Sequence, residues 1–185
     1  MSTPATSVVR YSRFFSLRKA RTVLDYGAGT LRNAMYLAGQ GFTVYAADVP
    51  EQVKVLRSHP GAATLAGLLE VGDLVGSRLG ADLVLCTYVF NIILTRAQRK
   101  LYLDNIVANL RPGGYLLIEV NSRREEIGCG SAFQHYHCCD DKARSYTHDE
   151  FDRLLLPYNF QRICHYYSTH ALAAIYQLRS EKAVT

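Results

Sequence analysis

The sequence predicts an α/β fold, a seven-stranded and mostly parallel sheet with helices on both faces and an antiparallel pair of strands at its C-terminal end. Three observations carry that expectation. Short runs that are apolar on both faces alternate with amphipathic helical stretches, the pattern of a parallel sheet covered on both sides. A glycine-bearing turn, "DYGAGT", follows the first of those runs. The last two runs, "NFQRICHYY" and "HALAAIYQL", are separated by little more than "STH", too short for the crossover that a parallel pair requires.

Taken in order, the elements justify themselves locally. Val8, Tyr11 and Phe15 fall three and four apart with Arg10 and Arg13 off that face, which predicts an amphipathic helix within a cap over residues 1–20. "TVLDY" is a short buried strand. Thr30 is a candidate N-cap for a helix whose stripe of Leu31, Ala34, Met35 and Ala38 stops at Gly39 and Gly41. "FTVYAAD" is the next strand, "EQVKVLRS" a helix, and "HPG" its breaker. A short strand is expected near "LLEV", with a loop or helix after Asp73, and "ADLVLCTYV" is a clear buried strand. Residues 96–110 read as a helix with Leu103, Ile106, Val107 and Leu110 inward and Arg99, Lys100, Asp104 and Asn109 outward. "RPGG" then suits a tight turn, Pro112 second and Gly113 third, before the strand "YLLIEVN". A last helix is expected over residues 147–155. With no internal repeat, low-complexity tract or linker, residues 1–185 are expected to form a single domain.

Composition narrows the class. Hydrophobic residues make up 49% and charged residues 20%, as in soluble globular proteins, and no apolar run approaches the ~20 residues that cross a bilayer. A net charge of +5 favours anionic partners without requiring nucleic acid. Five cysteines, an odd number with no C-x-x-C pair and no secretory signal, fit a reducing cytoplasm. The acid-free N-terminal stretch has a transit-peptide-like composition, but the strand beginning at Thr22 favours a helix that belongs to the domain.

The loop after the first strand is where an open α/β sheet binds ligands. Gly27 and Gly29 let backbone approach a ligand, and Asp48, 19 residues beyond Gly29, is placed to bind both hydroxyls of a ribose. These features fit NAD and S-adenosylmethionine equally. Three others separate them. Asp25, two residues before Gly27, would repel a pyrophosphate but suits an ammonium and a sulfonium. The antiparallel ending differs from the repeated parallel halves of dehydrogenases, and a Pro-Gly-Gly turn leads into the fifth strand.

On those residues the chain resembles the class I S-adenosylmethionine-dependent methyltransferases, Rossmann-like proteins, from about residue 20 to residue 178. "VLDYGAGTLRN" resembles the first motif, "AAD" the ribose-binding acid, "VGDL" the loop whose Asp73 would meet the adenine amino group, and "LRPGGYLLIEV" the entry to the fifth strand. "LRNAMYLAGQGFTV" is most similar to small tellurite-resistance-type methyltransferases. The resemblance implies S-adenosyl-L-methionine as cofactor, S-adenosyl-L-homocysteine as product, and a cofactor site of Asp25, Gly27, Ala28, Gly29, Asn33, Asp48, Val49, Asp73, Leu74 and Thr87. Leu31 stands where many members carry a third glycine, with its side chain expected to point into helix packing.

Methyl transfer is a direct displacement, so the protein has mainly to align acceptor and methyl group and exclude water. Tyr88 and Asn91, in "CTYVFN" at the functional end of the fourth strand, are the catalytic candidates there, whereas Phe90 reads as packing. Asn121 and Arg123 follow the fifth strand. Residues 128–146 form an insertion on the substrate side, and its richest part, "GCGSAFQHYHCCDD", carries His135 and His137 as candidate general bases. Its histidines and cysteines are too crowded for a standard zinc finger, and no metal is expected. The favoured partner is a small-molecule acceptor, since no further domain is visible to read a macromolecule and the Asn-Pro-Pro-Tyr type motif is absent. Two alternatives stand beside it. One is a nucleic-acid-modifying enzyme docking through "RYSRFFSLRKAR"; the other is a non-catalytic S-adenosylmethionine-binding regulatory module. A membrane partner is not expected, and the chain is expected to act as a monomer or homodimer.

Overall fold

Seven strands form one sheet in the order β3-β2-β1-β4-β5-β7-β6 in the computed structural model, which describes residues 3–121, 145–167 and 171–180. The strands are β1 (Thr22–Tyr26), β2 (Thr43–Asp48), β3 (Gly67–Glu70), β4 (Ala81–Thr87), β5 (Leu110–Asn121), β6 (Phe160–Tyr167) and β7 (Ala171–Leu178). The first five run parallel, while β7 pairs antiparallel with both β5 and β6, as the short "STH" connection demanded. Among the described residues five α-helices accompany them: α1 (Thr6–Leu17), α2 (Arg32–Gly39), α3 (Pro50–Leu56), α4 (Arg96–Asn109) and α5 (His148–Leu155). The expected "LLEV" strand is β3, and Val71–Leu74 follows it as a short 3-10 helix.

The alternating elements bury apolar side chains on both faces of the sheet. On one face Tyr102, Leu103 and Ile106 of α4 and Phe151 and Leu155 of α5 pack over Leu24, Val84, Leu116 and Ile118. On the other, Val8 and Phe15 of α1, Ala34 and Leu37 of α2 and Leu56 of α3 cover Val23, Val44, Leu83, Leu85 and Leu117. Arg10 and Arg13 face solvent, as the stripe of α1 predicts. In α5, Thr147 and Glu150 form a reciprocal capping box that satisfies two of the helix's free amides.

Three local expectations change. The helix after the glycine loop starts at Arg32, and its N-cap is Leu31 at φ 62° with no side-chain cap, rather than Thr30. That backbone is left-handed and costs ~1–2 kcal/mol for a residue with a Cβ, which explains the family's glycine there. Leu31 offsets the strain by burying its side chain completely among Ala28, Ala34 and Leu37. The "RPGG" stretch lies inside β5 instead of ahead of it: Gly113 has the expected positive φ, 76°, and the chain is irregular between the pairing of Ala81 with Leu110 and that of Leu83 with Tyr115. Leu110 thus opens β5 instead of closing α4.

Asn109 is the third. It is buried rather than outward, because it ties α4 to the loop that helical periodicity alone left unread. Its Nδ2 donates to Leu74 O (3.0 Å) and Asn105 O (2.9 Å), while its Oδ1 accepts from the Leu79 amide (3.2 Å) and the Ser77 hydroxyl. Removing one side of such a buried cluster leaves unpaired polar groups behind. Asn109→Ala should therefore lower unfolding stability by ~2–3 kcal/mol, read as a lower urea midpoint at an unchanged slope.

Candidate active site

The site grows from the position of β1 between β2 and β4, where the strand order reverses and the strand ends open a crevice. The loop leaving β1 is held onto β2: the amides of Gly27 and Ala28 both donate to Ala47 O, at 2.8 and 3.1 Å. Gly27 sits at φ 94°, and a Cβ there would lie 2.2 Å from Val89 Cγ2, so backbone must form this wall. Asp48 at the end of β2 accepts the Gly29 amide on Oδ2 (2.7 Å) and the Val49 amide on Oδ1 (2.8 Å). Each oxygen retains a lone pair for a ligand hydroxyl. Gln52 Nε2 donates to Gly29 O (2.6 Å) and locks the same loop to α3.

These groups open into a cavity of about 920 Å³. The loop residues Gly27, Ala28 and Gly29, with Asp48 and Val49, make one wall, and Thr87, Tyr88 and Asn33 another. Val71, Ile92, Ile93 and Leu101 make its apolar side, and Tyr26 and Tyr102, stacked at 4.1 Å between centroids, lie along it. Eight of the expected site residues are therefore brought together. Four others are placed elsewhere. Asp25 is fully buried beneath the loop, and Leu74 is buried in the core. Asp73 is exposed and outside the lining, its carboxylate accepting the Glu70 amide (2.8 Å) to cap the 3-10 helix. Asn91 is buried and does not reach the cavity. His135, His137 and residues 122–144 lie outside the described residues.

No residue of α1 lines the cavity. Its amino end instead bonds to the side chains behind the wall. The Ala5 amide donates to Asn33 Oδ1 (2.8 Å), and Asn33 Nδ2 donates to Thr87 Oγ1 (2.8 Å), so Asn33 is a strut between α1 and β4. The Ser7 amide donates to Glu119 Oε2 (3.0 Å), and Glu119 Oε1 accepts the Tyr88 hydroxyl (2.7 Å). Sequence reasoning missed Glu119, although a lone acid within the apolar run "YLLIEVN" is a legible signal. Arg32, the one cation on the described cavity wall, was missed as well; its guanidinium lies 5.9 Å over the Tyr88 ring. Gln52 carries no signal beyond its helix.

Burial pushes the Asp25 carboxyl up to about 7, and the neighbouring Asp48 charge adds to it, while the Ala34 amide and Arg32 oppose. Neither Asp25 oxygen meets a well-aligned donor among the described residues. Below its ordinary value of 3.8 both folded and unfolded chains hold the proton and nothing is lost. Between 3.8 and about 7 only the unfolded chain releases it, so stability falls as pH rises, and above about 7 the full cost is present. Asp25→Asn should therefore stabilise the chain by on the order of a few kcal/mol at about pH 8 and by much less at about pH 5, as melting curves at the two pH values will show.

A methyltransferase-domain family model matches residues 6–179. An uncharacterized methyltransferase of Mycobacterium tuberculosis (strain ATCC 25618 / H37Rv) is 35% identical over 111 residues, 59% of this chain; the aligned region is 43% of that relative's length. Human N-acetylserotonin methyltransferase, solved in complex with SAM, superposes with a TM-score of 0.74 at 18% identity, over 95% of this chain and 52% of that one. The Burkholderia thailandensis 1,6-didemethyltoxoflavin-N1-methyltransferase, solved with 1,6-didemethyltoxoflavin and S-adenosylhomocysteine, gives 0.66 at 19%, over 95% and 79%. At that identity the two structures speak to fold. The chain belongs to the methyltransferase-domain family, with the class I S-adenosylmethionine-dependent architecture.

Proposed function

We propose that this chain transfers the methyl group of S-adenosylmethionine to a small-molecule acceptor by direct displacement. The observation that carries the reading is one continuous cavity joining the glycine loop and Asp48 to Tyr88 at the end of β4. Its volume of about 920 Å³ lies at the large end of the ~300–1,000 Å³ of small-molecule sites, room for a cofactor and part of an acceptor. The donor set fits the cofactor. Asp48 binds the ribose hydroxyls through the lone pairs its two amide bonds leave, and Val49, Val71 and Ile93 offer apolar surface to a purine. Bound there, the cofactor supplies a methyl group already activated by its sulfonium. Tyr26, Tyr88 and Tyr102 present aromatic surface that stabilises a positive charge, and the apolar side excludes water.

Two structural neighbours support the size class of the acceptor. One was solved with bound 1,6-didemethyltoxoflavin, and the other is named for N-acetylserotonin. Among the described residues Cys86 and Cys164 are free thiols; burial pushes the Cys86 thiol up to about 12 and keeps it inert. No helix among the described residues is long and apolar enough to cross a membrane.

Calorimetry tests the cofactor half of the reading. S-adenosylhomocysteine should bind and NAD should not, and Asp48→Ala should weaken S-adenosylhomocysteine by ~1–3 kcal/mol through lost ribose hydrogen bonds. NAD binding, or an unchanged affinity in the variant, would overturn it.

A further inference from the structure

Glu119 is a carboxylate in the middle of an apolar strand, and its burial needs a reason. Its residue is 2% exposed, and no lysine or arginine pairs with it among the described residues. An unpaired buried carboxylate is among the costliest groups to retain in a core. Its two oxygens accept one hydrogen bond each, from the Ser7 amide and the Tyr88 hydroxyl. Tyr88 is fastened to Glu119 twice, since its own amide donates to Glu119 O at 2.7 Å. It also holds φ 59°, a left-handed conformation that a bulky residue adopts at a cost of ~1–2 kcal/mol. Strain and a buried charge therefore meet at one residue of the cavity wall.

The chemical consequence lies in the direction of that hydrogen bond. A phenol has one hydrogen to give and lone pairs to offer. With its hydrogen committed to Glu119, Tyr88 Oη can only accept. A ligand group beside it must bring its own hydrogen. Burial, and then Glu119 itself, raise the phenol well above the ordinary tyrosine range, and Tyr166 on β6 adds to this while Arg32 on α2 opposes it. Tyr88 thus stays protonated at neutral pH. Tyr166 has a buried hydroxyl with no hydrogen-bond partner among the described residues, and Arg10 of α1 lies 5.0 Å over its ring.

We propose that Tyr88 and Glu119 form a proton relay that commits this enzyme to acceptors bearing a hydroxyl or N–H, with that group donating its hydrogen bond to Tyr88 Oη. The proposal rests on the methyltransferase reading above. As the acceptor atom uses a lone pair to bond the methyl carbon, the pair of the breaking carbon–sulfur bond returns to sulfur. The acceptor's proton passes to Tyr88 Oη, and the phenol's own proton passes to Glu119 Oε1. The sulfonium and the carboxylate are both neutralised, so a charge pair present before transfer is gone after it. The burial of Glu119 acquires its reason: it is the proton sink, with its other oxygen seated on the Ser7 amide at the start of α1.

The test uses the full chain as wild type, Tyr88→Phe and Glu119→Gln. Acceptors are a series of phenols and N–H heterocycles of graded acidity together with a thiol, with S-adenosylhomocysteine formation as the assay. Both variants should lose about 10²-fold or more in kcat for the least acidic acceptors. The loss should shrink toward wild type for acceptors already ionised at the assay pH, and S-adenosylhomocysteine affinity should stay within about twofold, since no cofactor contact is touched. Tyr88→Phe keeps the ring and carries the test even where Glu119→Gln lowers the melting temperature. A loss independent of acceptor acidity, or one shared by cofactor affinity, overturns the relay and leaves a structural cluster. Wild-type turnover confined to the thiol, or to none of the series, overturns the acceptor assignment. Retained S-adenosylhomocysteine binding in that case keeps the cofactor reading standing, whereas its absence topples both.

Discussion

The parallel pairing of β1 with β2 on one side and β4 on the other is the constraint on which the site depends. Its two neighbours lie on opposite edges, so the chain leaving β1 and the chain leaving β4 turn to opposite faces of the sheet. The strand ends cannot be covered by one connection, and a crevice remains. Register decides what stands at its rim. Asp25 pairs with Ala46 and Leu85, which brings the glycine loop level with Ala47 and Asp48 and sets Val89 against Gly27. A one-residue slip would exchange the faces of every side chain on the strand.

Two acids inside this sheet, Asp25 and Glu119, are handled in opposite ways. Asp25 lies under the loop without a well-aligned donor, and its burial holds the proton on up to about neutral pH. Glu119 receives two donors, one from the start of a helix whose amides have no intrahelical partner. Helix α1 is thereby joined to the site it does not line. Its Ala5 and Ser7 amides end on Asn33 and Glu119, and these in turn hold Thr87 and Tyr88. Any force that displaces α1 is felt at the cavity wall through four hydrogen bonds, and ordering the wall steadies the helix by the same reciprocity.

Where the sequence could be read, the reading rested on local physics. Apolar runs such as "TVLDY" and "ADLVLCT" are strands because both their faces are buried, and the close approach of β6 to β7 left only an antiparallel pairing. Gly27 and Asp48 were legible because a close backbone approach needs a residue without a Cβ, and an acid at the end of the adjacent strand can accept the amide of the glycine loop. Asn109 was not, since a polar residue on a helix reads as exposed unless the loop that satisfies it is known. Asp73 fits a ligand-binding motif by spacing, yet its carboxylate closes the turn three residues back. Local hydrogen bonding turns one oxygen of that carboxylate back onto its own chain.

By itself the sequence determined the strand and helix order, the mixed sheet and the family, because periodicity and turn chemistry are local properties that survive without knowledge of neighbours. The tertiary structure alone decided which motif residues share a cavity, that Tyr88 is strained and bonded to Glu119, and that Asn33 braces α1. Those facts join residues far apart in the chain, 112 positions in the case of Ser7 and Glu119. Only strand order and register bring such pairs within hydrogen-bonding distance, and neither is encoded in any one segment.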